Sequence, residues 1–293
     1  DIDPDEERDI RMVTEYTTEI FPYLTKLELD LSPNPDYMEH QPHLTWTHRS
    51  ILLAWLHAVH SRLQLRPETL FLTTNLLDRF LTLVPIALSK LQLVGITALF
   101  LAAKYEEVAI PTIAEMVYMV DYGYTAEQIM AAETFMLEKL GWAVGWPGPL
   151  SWLRRISRAD GFDVDVRTLG KYFLEVAVVA GGGKFVGVLP SALAAAATAL
   201  GRILLEKGGW TLHHVALSGY TPSQLRPLVN ALLEATEDPE SHRSVYDKYH
   251  GKMYYDAAGF VQKWWRKNRG FGGDLGEFLE DEGMTDVEEE FSE

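Results

Sequence analysis

The sequence predicts an all-α fold, two tandem five-helix repeats flanked by an N-terminal helix, a C-terminal helix and an acidic tail. Three observations carry this. Apolar residues recur at helical spacing throughout the body, and no two neighbouring runs alternate as the strands of a hairpin would. Leu91 to Ala103 is polar only at Gln92 and Thr97 before the chain reaches Lys104-Tyr105-Glu106-Glu107. A helix apolar on all sides must be buried on all sides, and at ~1.5 Å per residue it spans roughly 20 Å, so Lys104 should emerge at the surface of a small domain. Finally, a Thr followed three residues later by Gln, a capping-box spacing, occurs at Thr125 and Gln128 and again 96 positions on at Thr221 and Gln224.

The elements follow in order. A first amphipathic helix is expected from Glu6 to Leu24, with Ile10, Val13, Tyr16, Thr17, Ile20 and Phe21 on one face. Pro33, Pro35 and Pro42 then mark an extended connector, closing a first segment at residues 1–44. Helices are expected over Thr47 to Leu63, Pro67 to Leu81, Ser89 to Tyr105, Ile113 to Val120 and Ala126 to Leu140, with Pro67 at a first-turn position, Ser89 as a cap and Gly141 as the stop. These form repeat 1, residues 45–148. After Pro147-Gly148-Pro149 the plan recurs as repeat 2, residues 149–240. It comprises Leu150 to Arg158, Asp165 to Val179, an Ala-rich core helix from Ser191 to Glu206, and Leu225 to Ala235. The expected caps Ser89 and Ser191 lie 102 positions apart. One last helix, Val245 to Arg266, occupies 241–269, and the tail at 270–293 is expected to be disordered.

The net charge of −16 belongs to the ends. Residues 1–30 hold ten acidic and three basic side chains and residues 270–293 hold ten acidic and no basic ones, so the body between is nearly neutral. That balance argues against a nucleic-acid grip, which needs clustered Lys and Arg. No apolar run reaches membrane-span length, and Asp1 to Asp9 is acidic where a signal peptide would be basic and then apolar. The absence of cysteine removes disulfides and thiol chemistry and is compatible with an intracellular protein; the start at Asp1 rather than Met fits a fragment.

Catalytic and metal constellations are poor. His57 and His60, or His213 and His214, have no cysteine or third acidic ligand at the required spacing, so core or surface histidines are expected and no metal or cofactor. Gly181 to Lys184 lacks the strand and the Ser or Thr of a phosphate loop and reads as an inter-helix loop. No nucleophile, base and oxyanion donor assemble, which excludes an enzyme, and no small-molecule ligand is expected.

From Arg49 to Glu133 the sequence resembles the cyclins, most closely mitotic B-type cyclins of fungi and animals. The resemblance rests on Tyr37-Met38, Gln41-Pro42, Arg49-Ser50-Ile51-Leu52, Trp55-Leu56, Asp78-Arg79-Phe80-Leu81, Leu91 to Gly95, Lys104 to Glu107 and Glu133. It continues through Leu153 to Ser157, Thr168 to Tyr172 and Pro190-Ser191, covering about residues 15–265. It implies two cyclin-box repeats and a non-catalytic regulatory subunit that activates a cyclin-dependent kinase at the G2/M transition, in nucleus and cytoplasm. Lys104 and Glu133 would bind the kinase's mobile regulatory helix, with Tyr105, Leu101, Leu137 and Val144 as the apolar part of that surface. By residue type alone, Lys104 and Glu133 also fit an ion pair that only closes the repeat.

Two further surfaces are implied. Ile51, Leu52, Trp55, Leu91 and Gln92 match the groove in which cyclins dock Arg-x-Leu motifs of substrates. Here His48 replaces the usual Met, Ala54 replaces the Asp that normally balances Arg49, and the acidic positions at Ala58 and Arg62 are gone, leaving Asp121. Capture of an arginine peptide should weaken and the support of Arg49 is in question. Arg154, Arg167 and Lys171 form either a solvated basic face or a phosphate site, Arg167 and Lys171 sharing a face one turn apart. Two other readings stay open: a degenerate cyclin that binds without activating, and a cyclin-fold transcription adaptor, which a strongly basic body would have marked.

Overall fold

The computed structural model describes residues 16–180, 182–268 and 275. Among them are thirteen α-helices and no strand. A lone helix, α1 (Thr17–Asp30), precedes the first repeat, which is built from α2 (Trp46–Arg62), α3 (Pro67–Leu83), α4 (Leu91–Glu106), α5 (Ile113–Met119) and α6 (Ala126–Lys139). The second uses α7 (Pro149–Ile156), α8 (Val164–Val179), α9 (Pro190–Leu204), α10 (Leu212–Ser218) and α11 (Pro222–Ala235); α12 (Arg243–Tyr249) and α13 (Ala257–Lys267) follow. In each repeat the most apolar helix, α4 or α9, is the axis on which its neighbours pack: Ile96 to Ala103 and Ala194 to Ala197 are almost wholly excluded from solvent.

Several expectations are corrected. The first helix runs on to Asp30, past Leu24; its expected residues Glu6 to Glu15 and the tail at 270–293, apart from Leu275, lie outside the described residues. Ser89 is no cap, since it sits in a 3-10 turn (Leu88–Lys90) before α4. Ser191 is not one either. It lies behind Pro190 in the first turn of α9, and the orphan amide there is satisfied by Glu28 of α1, which accepts from Ser191 N (3.0 Å) and Oγ (2.7 Å). The final helix is broken, because Tyr255 and Asp256 both take left-handed backbone angles (φ 53° and 54°). Thr211 opens α10, a seven-residue helix that the sequence pattern does not announce. Both expected capping boxes are present, with Gln128 accepting from Thr125 N at 2.9 Å and Gln224 from Thr221 N at 3.0 Å.

Arg49, whose support the sequence leaves in question, is buried and paired. Its Nε and Nη2 each donate to Asp78 at 2.7 Å, and Tyr37 Oη donates to the same carboxylate at 2.9 Å. Asp78 of α3, itself one of the residues that carry the resemblance, balances Arg49 without an acid at position 54, and a bidentate pair with a third donor satisfies the buried charge. The glycine loop after α8 also finds its reason. Gly183 has φ +99° and a Cβ there would lie 2.6 Å from the Trp46 ring, so the loop is a seat for the first residue of α2.

The repeats are joined by a buried polar cluster. Glu175 of α8 bonds His57 Nε2 from α2 (3.0 Å) and accepts from Lys248 Nζ (2.7 and 2.8 Å) and Tyr249 Oη (2.9 Å) of α12. On the far side α1 bridges both halves: Arg155 stacks on Phe21 (4.0 Å to the ring centroid), while Asn75 Nδ2 donates to Leu31 O at 2.9 Å.

Two buried histidines of the second half make stability acid-sensitive. Burial, and then the charge of Arg202, lowers the His214 pKa to about 3, and burial lowers that of His242 to about 4. The unfolded chain takes up these protons near pH 6.5 and the folded chain does not. Their contribution is therefore complete above pH 6.5 and declines as pH falls toward 4 and 3. Urea unfolding at pH 5.5 is expected to show about 2 to 3 kcal/mol less stability than at pH 7.5, with the loss reduced in His242→Gln.

Candidate kinase-binding surface and its neighbours

Lys104 leaves the C-terminal turn of α4 where the helix reaches the surface. Its Nζ lies 2.7 and 2.8 Å from the two carboxylate oxygens of Glu133 on α6 and 4.2 Å from the centre of the Phe100 ring. The two partners are unequally exposed, Lys104 at 39% and Glu133 at 12%. An ammonium has three donors, so one N–H remains beyond the two given to Glu133. The carboxylate holds the lysine in place on a rigid helix, and the half-exposed ammonium keeps capacity for a further acceptor.

The segments that follow α4 and α6 expose large apolar side chains. Tyr105, Val108, Ile110 and Trp142 are all exposed, and Trp142 is 66% exposed directly after the left-handed Gly141. Tyr105 Oη lies against Gly145, where a Cβ would come within 2.9 Å, and Arg79 Nη1 donates to Ala143 O at 2.8 Å. These two contacts fix the 142–145 segment beside the end of α4. Leu137 and Val144 are half-buried, whereas Leu101, at 6% exposure, belongs to the core and offers a partner little surface. Trp142 escapes a reading of the sequence because a large apolar residue near a helix end reads as core; its place just after a glycine stop is the usable signal.

The predicted groove residues converge. Ile51, Leu52, Trp55, Leu91 and Gln92 line an open groove of about 250 Å³ together with His48 and Leu88. Its floor depends on Gly95, where a Cβ would meet Leu52 Cδ1 at 2.8 Å, so α2 and α4 approach closely. Asp121 is not among the lining residues; it sits in the turn after α5 with φ 51°. The basic trio also converges: Arg154, Arg167 and Lys171 line one cavity of about 490 Å³ with Glu68, Pro67 and Phe162. Burial and the neighbouring Arg167 lower the Lys171 pKa, and the carboxylates of Glu68 and Glu175 offset them only in part.

The description "Cyclin, N-terminal domain" matches residues 19–145, and "Cyclin, C-terminal domain" matches residues 147–263. The chain belongs to the cyclin family. Among its relatives, this cyclin is 48% identical over 259 residues to G2/mitotic-specific cyclin-4 of Candida albicans, covering 88% of this chain and 53% of that protein. It is 45% identical to G2/mitotic-specific cyclin-4 of Saccharomyces cerevisiae (89% and 56% covered) and 43% identical to G2/mitotic-specific cyclin cdc13 of Schizosaccharomyces pombe (92% and 55%). The chain therefore spans about half the length of the curated relatives it matches. In fold it is similar to a viral cyclin from herpesvirus saimiri, with a TM-score of 0.66 at 19% identity over 78% of this chain and 99% of that one. A chain of the yeast RNA Pol II CTD kinase CTDK-1 complex shares the fold at a TM-score of 0.57 and 13% identity, over 75% of this chain and 73% of that one.

Proposed function

We propose that this cyclin is the regulatory subunit of a cyclin-dependent protein kinase, which it binds and activates to drive the G2/M transition in nucleus and cytoplasm. The observation that carries the proposal is Lys104, held two-pronged by Glu133 at the surface end of α4, with Tyr105, Val108, Ile110 and Trp142 exposed in the segments that follow α4 and α6. Backbone carbonyls at the end of a kinase helix fit the N–H that Lys104 does not give to Glu133, and the exposed apolar side chains supply most of the binding energy. The chemistry stays with the kinase. A surface complementary only to the turned-in regulatory helix shifts the kinase between two states, and moving that balance from 1:99 to 99:1 takes ~5.5 kcal/mol of differential affinity.

The relatives' names, G2/mitotic-specific cyclins, support this assignment, and the same fold occurs in a chain of a kinase complex. The groove on α2 is the proposed docking site for substrates or regulators, and the trio Arg154, Arg167 and Lys171 the proposed site for a phosphorylated partner, since converging guanidinium and ammonium groups suit a phosphate. Trp142→Ala is expected to weaken binding to a monomeric cyclin-dependent kinase about tenfold or more, as loss of a central aromatic anchor does, with an unchanged melting curve because the ring is exposed. Biolayer interferometry measures this; an unchanged Kd would place the interface elsewhere.

A further inference from the structure

We propose that the α2 groove selects a linear motif carrying an acidic side chain rather than a basic one. This deepens, and rests on, the assignment of the groove as a docking site. The outer stripe of α2 runs Ile51, Trp55, Ala58, Arg62, each three or four residues from the last and therefore on one face. No Asp or Glu occurs anywhere in α2. The opposite wall is likewise without acid from Leu88 to Tyr105, and it exposes Lys90.

At the far end of this stripe the structure supplies a held cation. Arg62 lies over the Tyr118 ring, 5.2 Å from guanidinium carbon to centroid, and donates to Tyr118 Oη at 3.1 Å. Tyr122 packs edge-on against Tyr118 (6.3 Å). Stacking on a ring restrains the planar guanidinium while leaving its remaining donors to solvent, which is the arrangement for receiving a carboxylate. Asp121, in the adjoining turn, is exposed at the same end. It sets one carboxylate at the end where Arg62 lies, and the exposed Lys90 adds positive charge on the opposite wall.

Distance sets the motif. Trp55 and Arg62 are seven residues apart, about 10 Å along the helix. An extended peptide covers that in about three residues. The occupant is thus an extended segment with apolar anchors in the Ile51, Trp55 and Leu91 cleft and an Asp or Glu about three residues away over Arg62. An arginine there would meet a like charge.

The test is fluorescence anisotropy on the full chain with three labelled peptides that share one apolar anchor pair and carry Glu, Gln or Arg three residues from it. The Glu peptide is expected to bind about fivefold tighter than the Gln peptide, the scale of one rim charge pair, and the Arg peptide weakest, with the spread shrinking at about 0.5 M salt. Arg62→Glu, exposed and checked for unchanged helicity, should reverse the order, and Asp121→Asn should strengthen the Glu peptide. Equal binding of all three peptides that is lost in Trp55→Ala would overturn the acidic selectivity and keep the groove. Tighter binding of the Arg peptide to the unmodified chain would overturn it as well. Binding of all three unaffected by Trp55→Ala, or no binding at all, would overturn the docking assignment itself.

Discussion

Replacing both Lys104 and Glu133 with alanine is expected to remove measurable kinase binding while leaving a fully helical protein. The separation of the two effects follows from exposure. With 39% of the lysine side chain in solvent, the pair contributes to folding as a surface bridge, roughly 0 to 1 kcal/mol. At an interface the same groups become desolvated, and losing one partner of a hydrogen-bonded charge pair there costs about 2 to 5 kcal/mol. The single variants should differ. Lys104→Ala leaves Glu133, 12% exposed, as a nearly covered carboxylate without its cation, and should bind worse than Glu133→Ala, in which Lys104 keeps its charge and loses its orientation. Isothermal titration of the three variants against a monomeric cyclin-dependent kinase gives the coupling between the two residues. Additive losses would mean that Glu133 does not position Lys104.

Glu175→Ala is expected to be the most destabilising single change, at about 3 to 5 kcal/mol, because it strands Lys248 and unpairs His57 and Tyr249 in the seam between repeats. Burial pushes the Glu175 pKa up, but the hydrogen bond from His57 and the charge of Lys248 outweigh it and bring it down to about 2. The unfolded value is 4.5, so this stabilisation is complete above pH 4.5 and disappears as pH falls from 4.5 toward 2. Differential scanning calorimetry at neutral pH should show a large drop in Tm for Glu175→Ala and a smaller one for Glu175→Gln, which keeps an acceptor for Tyr249. Two separated transitions in place of one would identify Glu175 as the link that makes the repeats unfold together. Removing it should also loosen the basic trio of the second repeat relative to the Lys104 surface of the first.

Much of this surface is legible in the sequence because it is written in local patterns. The apolar run of α4 ends where expected, on Lys104, and the Thr125 and Gln128 box marks the start of the helix that carries Glu133. The five groove residues and the basic trio need only helical periodicity together with the family resemblance. What escapes is nonlocal or compensated. Glu175 lies 118 residues from His57, and nothing in their spacing announces that they meet. Glu28 caps α9 from 163 residues away, so Ser191 reads as a cap although another element performs that role. Asp78 meets Arg49 from a different helix, 29 positions away, so the support of Arg49 is in question in the sequence and plain in the structure. The break between α12 and α13 follows from two non-glycine residues in left-handed conformations, which side-chain periodicity does not reveal. Near the tail, Leu275 is only 2% exposed and its amide donates to Asn230 Oδ1 at 3.1 Å, so this one position is anchored within a segment expected to be disordered throughout.

The central claim is that the Lys104 and Glu133 surface switches on a kinase. Its most direct test is histone phosphorylation by a purified monomeric cyclin-dependent kinase titrated with this chain. The rate should rise by orders of magnitude to saturation with the unmodified chain and stay at the basal level with the equally helical Lys104→Ala, Glu133→Ala variant. Equal activation by that variant, or no activation by the unmodified chain, would contradict it.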